Sequence, residues 1–266
     1  MLMDRDRKFS HPTSFSYRTL TCSIFLCSGG CAGIHNLVMA ADQRDRGASP
    51  HGGRVSSGVS IPAGSVALEG DLNVPASPRG AVIFAHGSGS SRHSPRNQFI
   101  ARTLQEAGFT TLLLDLLTAV EEPLDQRTGH LRFDIDLLAE RLVHATAWLA
   151  DDPQMRDFRF GYFGASTGAA AALVAAGKTP GISAVVARGG RPDLAGEVLP
   201  QVHAPVLLIV GGADPVVLDL NRQAQARIGA VTRLEIVPHA THLFEEPGAL
   251  EQVAHLAREW FERYLR

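Results

Sequence analysis

Cysteine is nearly absent from this chain. All three cysteines, Cys22, Cys27 and Cys31, lie near the start, and none follows. That excludes a disulfide framework and a thiolate metal site from everything downstream. An excess of either charge is also missing, since 25 Lys and Arg face 27 Asp and Glu for a net charge of -2. There is no basic field for nucleic acid and no acidic tail. No apolar run approaches the ~18–20 residues of a membrane span. The histidines are too dispersed to suggest a metal site. Nucleic acid, membrane and metal therefore drop out as expected partners. What is present, 45% apolar residues in a chain of 266, suffices for one large core.

Residues 1–58 differ from the rest. Arg5, Arg7, Lys8 and Arg18 precede an uncharged stretch from Thr19 to Ala41, and Val38-Met39-Ala40 has the small residues of a cleavage site. That pattern fits a secretory signal peptide. Against it, Ser23, Ser28, Gly29, Gly30, His35 and Asn36 interrupt the apolar core. The plainer expectation is a disordered leader, or an upstream start with Met39 as the true first residue, followed by a polar linker to Gly58. On that reading the protein is cytoplasmic; on the signal-peptide reading it is exported.

From Val59 to Arg266 the pattern is that of one folded domain. Alternating runs around Pro62-Ala63-Gly64 predict an antiparallel hairpin at a sheet edge. Ala81–Ala85, Thr110–Asp115, Phe158–Phe163, Ile182–Ala187 and Pro205–Val210 are short apolar runs of the kind buried on both faces, and a further strand is expected over 233–237. Between them the spacing predicts helices over Pro95–Ala107, Leu131–Ala150 and 216–229. A last helix opens at Glu245-Glu246-Pro247, acidic and with proline in its first turn. Strands alternating with helices imply an α/β fold: a mostly parallel, doubly wound sheet with helices on both faces.

The most informative stretch is Gly164-Ala165-Ser166-Thr167-Gly168, between an apolar strand and the small-residue helix Ala169–Ala176. G-x-S-x-G at a strand-to-helix corner is the spacing of a nucleophile elbow, where only glycines let strand and helix approach. In a parallel sheet, sites form at the carboxyl ends of the strands. Other polar motifs stand at such ends: His86 to Ser90, Asp214 after Gly211-Gly212, and His242. The order Ser166, Asp214, His242 assigns nucleophile, orienting acid and general base. Asp219 is the stand-in acid if Asp214 merely caps a helix, and His239 competes with His242. Backbone N–H groups of Ser88 and Thr167 are the expected oxyanion donors, with His86 shaping that loop.

On these motifs, together with His239-Ala240-Thr241-His242-Leu243-Phe244, residues 59–266 resemble an α/β-hydrolase of the dienelactone-hydrolase-like group. The resemblance implies a hydrolase without cofactor acting on a small-molecule ester. Dienelactone hydrolases proper use cysteine as nucleophile, and this chain has serine, so that particular reaction does not carry over. The interval from Thr167 to Thr241 leaves little room for a cap domain, which implies an open site. The expected activity is cleavage of carboxylic esters or thioesters through an acyl-enzyme. Acyl transfer or peptide cleavage on the same triad, and an idle hydrolase-fold partner protein, are the alternatives. Arg188 and Arg191, after the strand at 182–187, are candidate substrate-binding residues for an anionic group, with Arg92 and Arg96 on the same edge. The competing expectation pairs Arg188 with Asp193. Oligomeric state is not legible in these patterns.

Overall fold

The computed structural model describes residues 55–266, so the leader expected over 1–58 lies outside the described residues as far as residue 54. The first described element already alters the expected boundary. Strand β1 (Val55–Ala63) begins ahead of Val59, because Val55 to Gly58 extend the hairpin and pair in register with Asp71 to Val74 of β2 (Val66–Val74).

Six parallel strands follow: β3 (Ala81–Ala85), β4 (Thr110–Leu114), β5 (Phe160–Ala165), β6 (Ile182–Arg188), β7 (Val206–Gly211) and β8 (Thr232–Val237). They form an 8-stranded sheet of order β1-β2-β4-β3-β5-β6-β7-β8, with only β1 and β2 antiparallel. The helices are α1 (Pro95–Glu106), α2 (Glu121–Thr128), α3 (Ile135–Ala150), α4 (Thr167–Lys178), α5 (Pro215–Gln225) and α6 (Ala249–Tyr264). This is an α/β-hydrolase architecture, and the described residues form no large cap over the strand ends.

Side-chain alternation explains why the inner strands read as unbroken apolar runs. In β3, Ala81, Ile83 and Ala85 enter the core shared with α3 and α4, whereas Val82 and Phe84 enter the core shared with α1 and α6. Both faces are dry, so every position is apolar. The second core closes on β5 by a direct fit: a Cβ added at Gly161 would lie 2.7 Å from Phe261 Cε1 of α6.

Three local expectations change. The helix predicted from Leu131 starts instead at Ile135. Residues 131–133 form a short 3-10 turn, and the Asp134 carboxylate caps α3 by accepting from the Leu137 N–H at 3.1 Å. The strand read at Phe158–Phe163 runs two residues later. The last helix does not open at Glu245. Phe244 has φ +56 and Gly248 φ +81, and the Glu246 carboxylate accepts from the Thr241 N–H at 3.0 Å, so the chain is still turning there. Thr241 hydrogen bonds hold the Glu246 carboxyl below its usual range.

Candidate active site

The sheet delivers Ser166 where β5 becomes α4. Its backbone, φ +51 and ψ -121, lies outside the regions L-residues prefer, a strain of order 1–3 kcal/mol that persists only when neighbours over-determine it. Here they do. The Ser166 N–H donates to the Arg188 carbonyl at 3.2 Å, and the Ser166 carbonyl accepts from Ala169 at 3.1 Å and Arg191 at 3.0 Å. The flanking glycines are sterically required. A Cβ at Gly164 would lie 2.5 Å from Ala169 Cα, and one at Gly168 would lie 2.3 Å from the Ala85 carbonyl oxygen. The serine itself is half-buried and therefore within reach of a ligand.

Asp214 and His242 meet at the ends of β7 and β8. His242 Nδ1 is 2.8 Å from Asp214 Oδ2. A carboxylate only accepts, so Nδ1 carries the proton and Nε2 is left as the basic nitrogen. Asp214 also does the job that had competed with catalysis: its Oδ1 accepts from the Val217 N–H at 3.4 Å and caps α5. The two roles use different oxygens. Asp219 is exposed and accepts from Gln223, and His239 is exposed in a turn with φ +62, so it is Asp214 and His242 that the fold brings together. Among the described residues no hydrogen bond joins Ser166 to His242; in unliganded enzymes this contact is commonly loose. The loop after β6 lies against the histidine: a Cβ at Gly189 would be 3.5 Å from His242 Nδ1 and Cε1. Asn221 of α5 holds that loop by donating to the Gly190 carbonyl at 2.9 Å.

Asp214→Asn keeps the cap but presents an amide that can stabilise the wrong imidazole tautomer. The expected result is an unchanged unfolding midpoint with kcat for ester hydrolysis lower by about 10⁴-fold. Steady-state kinetics beside thermal unfolding checks both halves.

Ser88 and Thr167 come together in a way spacing did not indicate. The Ser88 N–H donates to Thr167 Oγ1 at 2.9 Å. A substrate oxyanion at that amide therefore exchanges with the threonine hydroxyl rather than filling an empty position. Thr167 opens α4, so its own N–H is one of the helix's unpaired N-terminal amides. His86 fixes the loop between them. The Leu116 N–H donates to His86 Nε2 at 3.0 Å, which leaves Nδ1 as the donor to the Gly87 carbonyl, 2.9 Å away. The Gly87 carbonyl and the Ser88 N–H belong to one trans peptide and point in opposite directions. Holding the first aims the second.

Burial pushes the His86 pKa down, so the ring is neutral in the fold. The unfolded chain binds a proton near the 6.5 reference and the folded chain resists it. Its stabilisation is thus complete above about pH 6.5 and is lost as pH falls through the lower folded value. Unfolding midpoints from about pH 7.5 to about pH 5 are expected to fall in the parent and to fall less in His86→Gln.

The arginines divide differently from expectation. Arg191, not Arg188, takes Asp193, through a two-pronged pair at 2.8 and 2.7 Å. Arg191 is therefore paired within its own loop, with its side chain partly exposed. Arg92 pairs with Asp115. Arg188 is buried and has no carboxylate partner among the described residues.

A doubly wound sheet carrying a strained serine elbow and an acid–histidine pair at successive strand ends defines an α/β-hydrolase. The family model for the dienelactone hydrolase family matches residues 68–265, and the chain belongs to that family. It is 57% identical to a dienelactone hydrolase from Anabaena variabilis of known crystal structure, with a TM-score of 0.78 over 80% of this chain and 99% of that one. It also resembles, at 17% identity and a TM-score of 0.65, a dienelactone hydrolase-like promiscuous phosphotriesterase from metagenomic libraries; the match covers 80% of this chain and 99% of that one. A Mycobacterium tuberculosis protein named "Putative phosphoribosyl transferase" is 59% identical over 208 residues, which are 78% of this chain but only 46% of that protein. Among the described residues, no cluster of His, Cys, Asp or Glu could hold a metal ion, and no helix is long and apolar enough to cross a membrane.

Proposed function

We propose that this protein is a serine hydrolase that cleaves carboxylic ester or thioester bonds of small molecules through an acyl-enzyme. The observation that carries the reading is the His242–Asp214 contact at 2.8 Å, on the same sheet edge as a serine held at φ +51. Ser166 Oγ attacks the carbonyl carbon while His242 Nε2 takes its proton. The resulting oxyanion is met by the N–H groups of Thr167 and Ser88. Collapse expels the alcohol or thiol, which receives the proton from His242, and water repeats the sequence to release the acid. One such oxyanion donor is worth roughly 2.7–4 kcal/mol. With no large cap domain among the described residues, the site is read as open, suited to small or exposed esters.

The transferase name of the mycobacterial protein belongs to a chain of which this one spans less than half, so it does not displace the hydrolase reading. Incubation with a fluorophosphonate probe, followed by peptide mapping, tests the proposal. A covalent adduct on Ser166 is expected. An unlabelled, folded protein would make it an idle hydrolase-fold partner instead.

A further inference from the structure

Among the described residues, strand β8 is an outer strand of the sheet and pairs on one side only, with β7. The other outer strand, β1, carries Pro62, which has no N–H to offer a neighbour. β8 has no proline, lysine or bulge, the usual means by which an edge turns another chain away.

The ladder to β7 fixes which backbone groups of β8 are open. The Val206 N–H donates to the Val231 carbonyl at 2.9 Å, and the Gly212 N–H to the Val237 carbonyl at 2.8 Å. Backbone groups alternate sides along a strand, so Val231, Arg233, Glu235 and Val237 face β7. Thr232, Leu234 and Ile236 therefore turn N–H and C=O outward. The Thr232 carbonyl agrees, since it accepts from the Gln225 side chain at 3.3 Å and keeps a second lone pair.

Side chains alternate between the two faces on the same period. Arg233 and Glu235 share a face and are ion-paired within the chain, through Arg233 Nε and Glu235 Oε1. That bond leaves over the end of the guanidinium and one carboxylate oxygen, on a side chain of Arg233 that is 58% exposed. On the opposite face Leu234 is half-buried and Ile236 is exposed.

One two-fold register satisfies both patterns. A two-fold axis at Leu234 sets Leu234 against its own copy, Thr232 against Ile236, and Arg233 against Glu235 in both directions. Each outward N–H then meets an outward carbonyl, and each arginine lies opposite a carboxylate. Centring on Arg233 would set arginine on arginine, and centring on Glu235 would set glutamate on glutamate. Centring on Thr232 or Ile236 leaves part of the strand and its charges unopposed.

We propose that two copies of this protein associate by antiparallel pairing of β8 with β8, centred on Leu234, joining two 8-stranded sheets into one. A single strand pair is a small interface, so dissociation in the micromolar range is expected. β8 runs directly into the loop bearing His242, so the contact braces the strand behind the histidine.

Sedimentation equilibrium of the full chain from about 1 to about 100 μM, bracketing that range, should show a mass rising from one chain to two. Arg233→Glu and Glu235→Arg each place like charges opposite one another, and each should raise the dimer Kd by about 10-fold or more. An equimolar mixture of the two variants restores opposite charges across the two-fold, though not within either chain. It should therefore dimerise as the parent does, which also shows that both variants are folded. An ion pair that served only its own chain would not be rescued by mixing. Amide exchange reads the register: Thr232, Leu234 and Ile236 should slow as concentration rises, with Arg233 and Glu235 slow throughout.

A one-chain mass at every concentration overturns the proposal, as does a dimer that neither single reversal weakens or that mixing does not restore. Slow exchange of the three outward amides in a monomer overturns it as well, and would mean that another segment of this chain covers the edge.

Discussion

Ser166→Ala is expected to reduce kcat for ester hydrolysis by about 10⁶-fold while leaving the protein folded. That magnitude is the loss seen when a serine-triad nucleophile is removed and only the oxyanion donors and binding remain. The fold survives because the hydroxyl holds no other described group in place, and alanine tolerates a φ of +51 about as poorly as serine does. The strained corner is fixed by backbone bonds to Arg188, Ala169 and Arg191, which the substitution leaves intact. Progress curves with p-nitrophenyl acetate, read against the circular dichroism of parent and variant, check both statements. A variant turning over at the parent rate would remove Ser166 from the chemistry.

Gly168→Ala should act in the opposite way, through the fold first. One methyl group there would lie 2.3 Å from the Ala85 carbonyl oxygen and 2.4 Å from that of His86, so backbone rather than a flexible side chain must yield. Overpacking of ordinary core sites costs typically 1–3 kcal/mol, and a contact with two carbonyls of the adjoining strand should exceed about 3 kcal/mol. The same displacement would move His86 and the Ser88 amide away from Thr167. Urea unfolding should show a midpoint well below the parent's, and any folded fraction should label slowly with the probe. A midpoint equal to the parent's would show that α4 can move off β3 freely.

The inner sheet and the catalytic candidates were legible in the sequence for a physical reason. A strand buried on both faces leaves no room for polar residues, so Ala81–Ala85 and Val206–Val210 announce themselves. The steric demands on Gly164 and Gly168 likewise leave a local pattern. What escaped was decided elsewhere in space or by weak local preference. Ser56 to Gly58 look like linker because this stretch of the edge strand is exposed. The segment 121–128 carries Pro123 and almost no apolar stripe, yet forms α2; Asp125, its one buried residue, is held below its usual pKa by burial-opposed hydrogen bonds from the backbone and side chain of Arg132. Glu245-Glu246-Pro247 has the chemistry of a helix start, but Glu246 is drawn back to Thr241. The contact between Ser88 and Thr167 spans 79 positions, and no local signal could announce it. Which of two nearby arginines takes Asp193 is settled by side-chain direction: Arg188 still obeys the strand's alternation, whereas Arg191 has left it.

Helix α4 has a consequence for how the site moves. Residues 167–176 are all buried, so these first ten residues of the helix have no solvent face from which to fray. Opening it requires separating the sheet, α3 and the segment 192–201 together, which places its amides near the global unfolding free energy. His242 stands instead on a loop with exposed neighbours at Thr241, Leu243 and Glu245. Amide exchange should therefore be slow behind the nucleophile and fast around the base. Any adjustment that brings the two into register on substrate binding then belongs to the histidine loop, with the serine as its fixed reference.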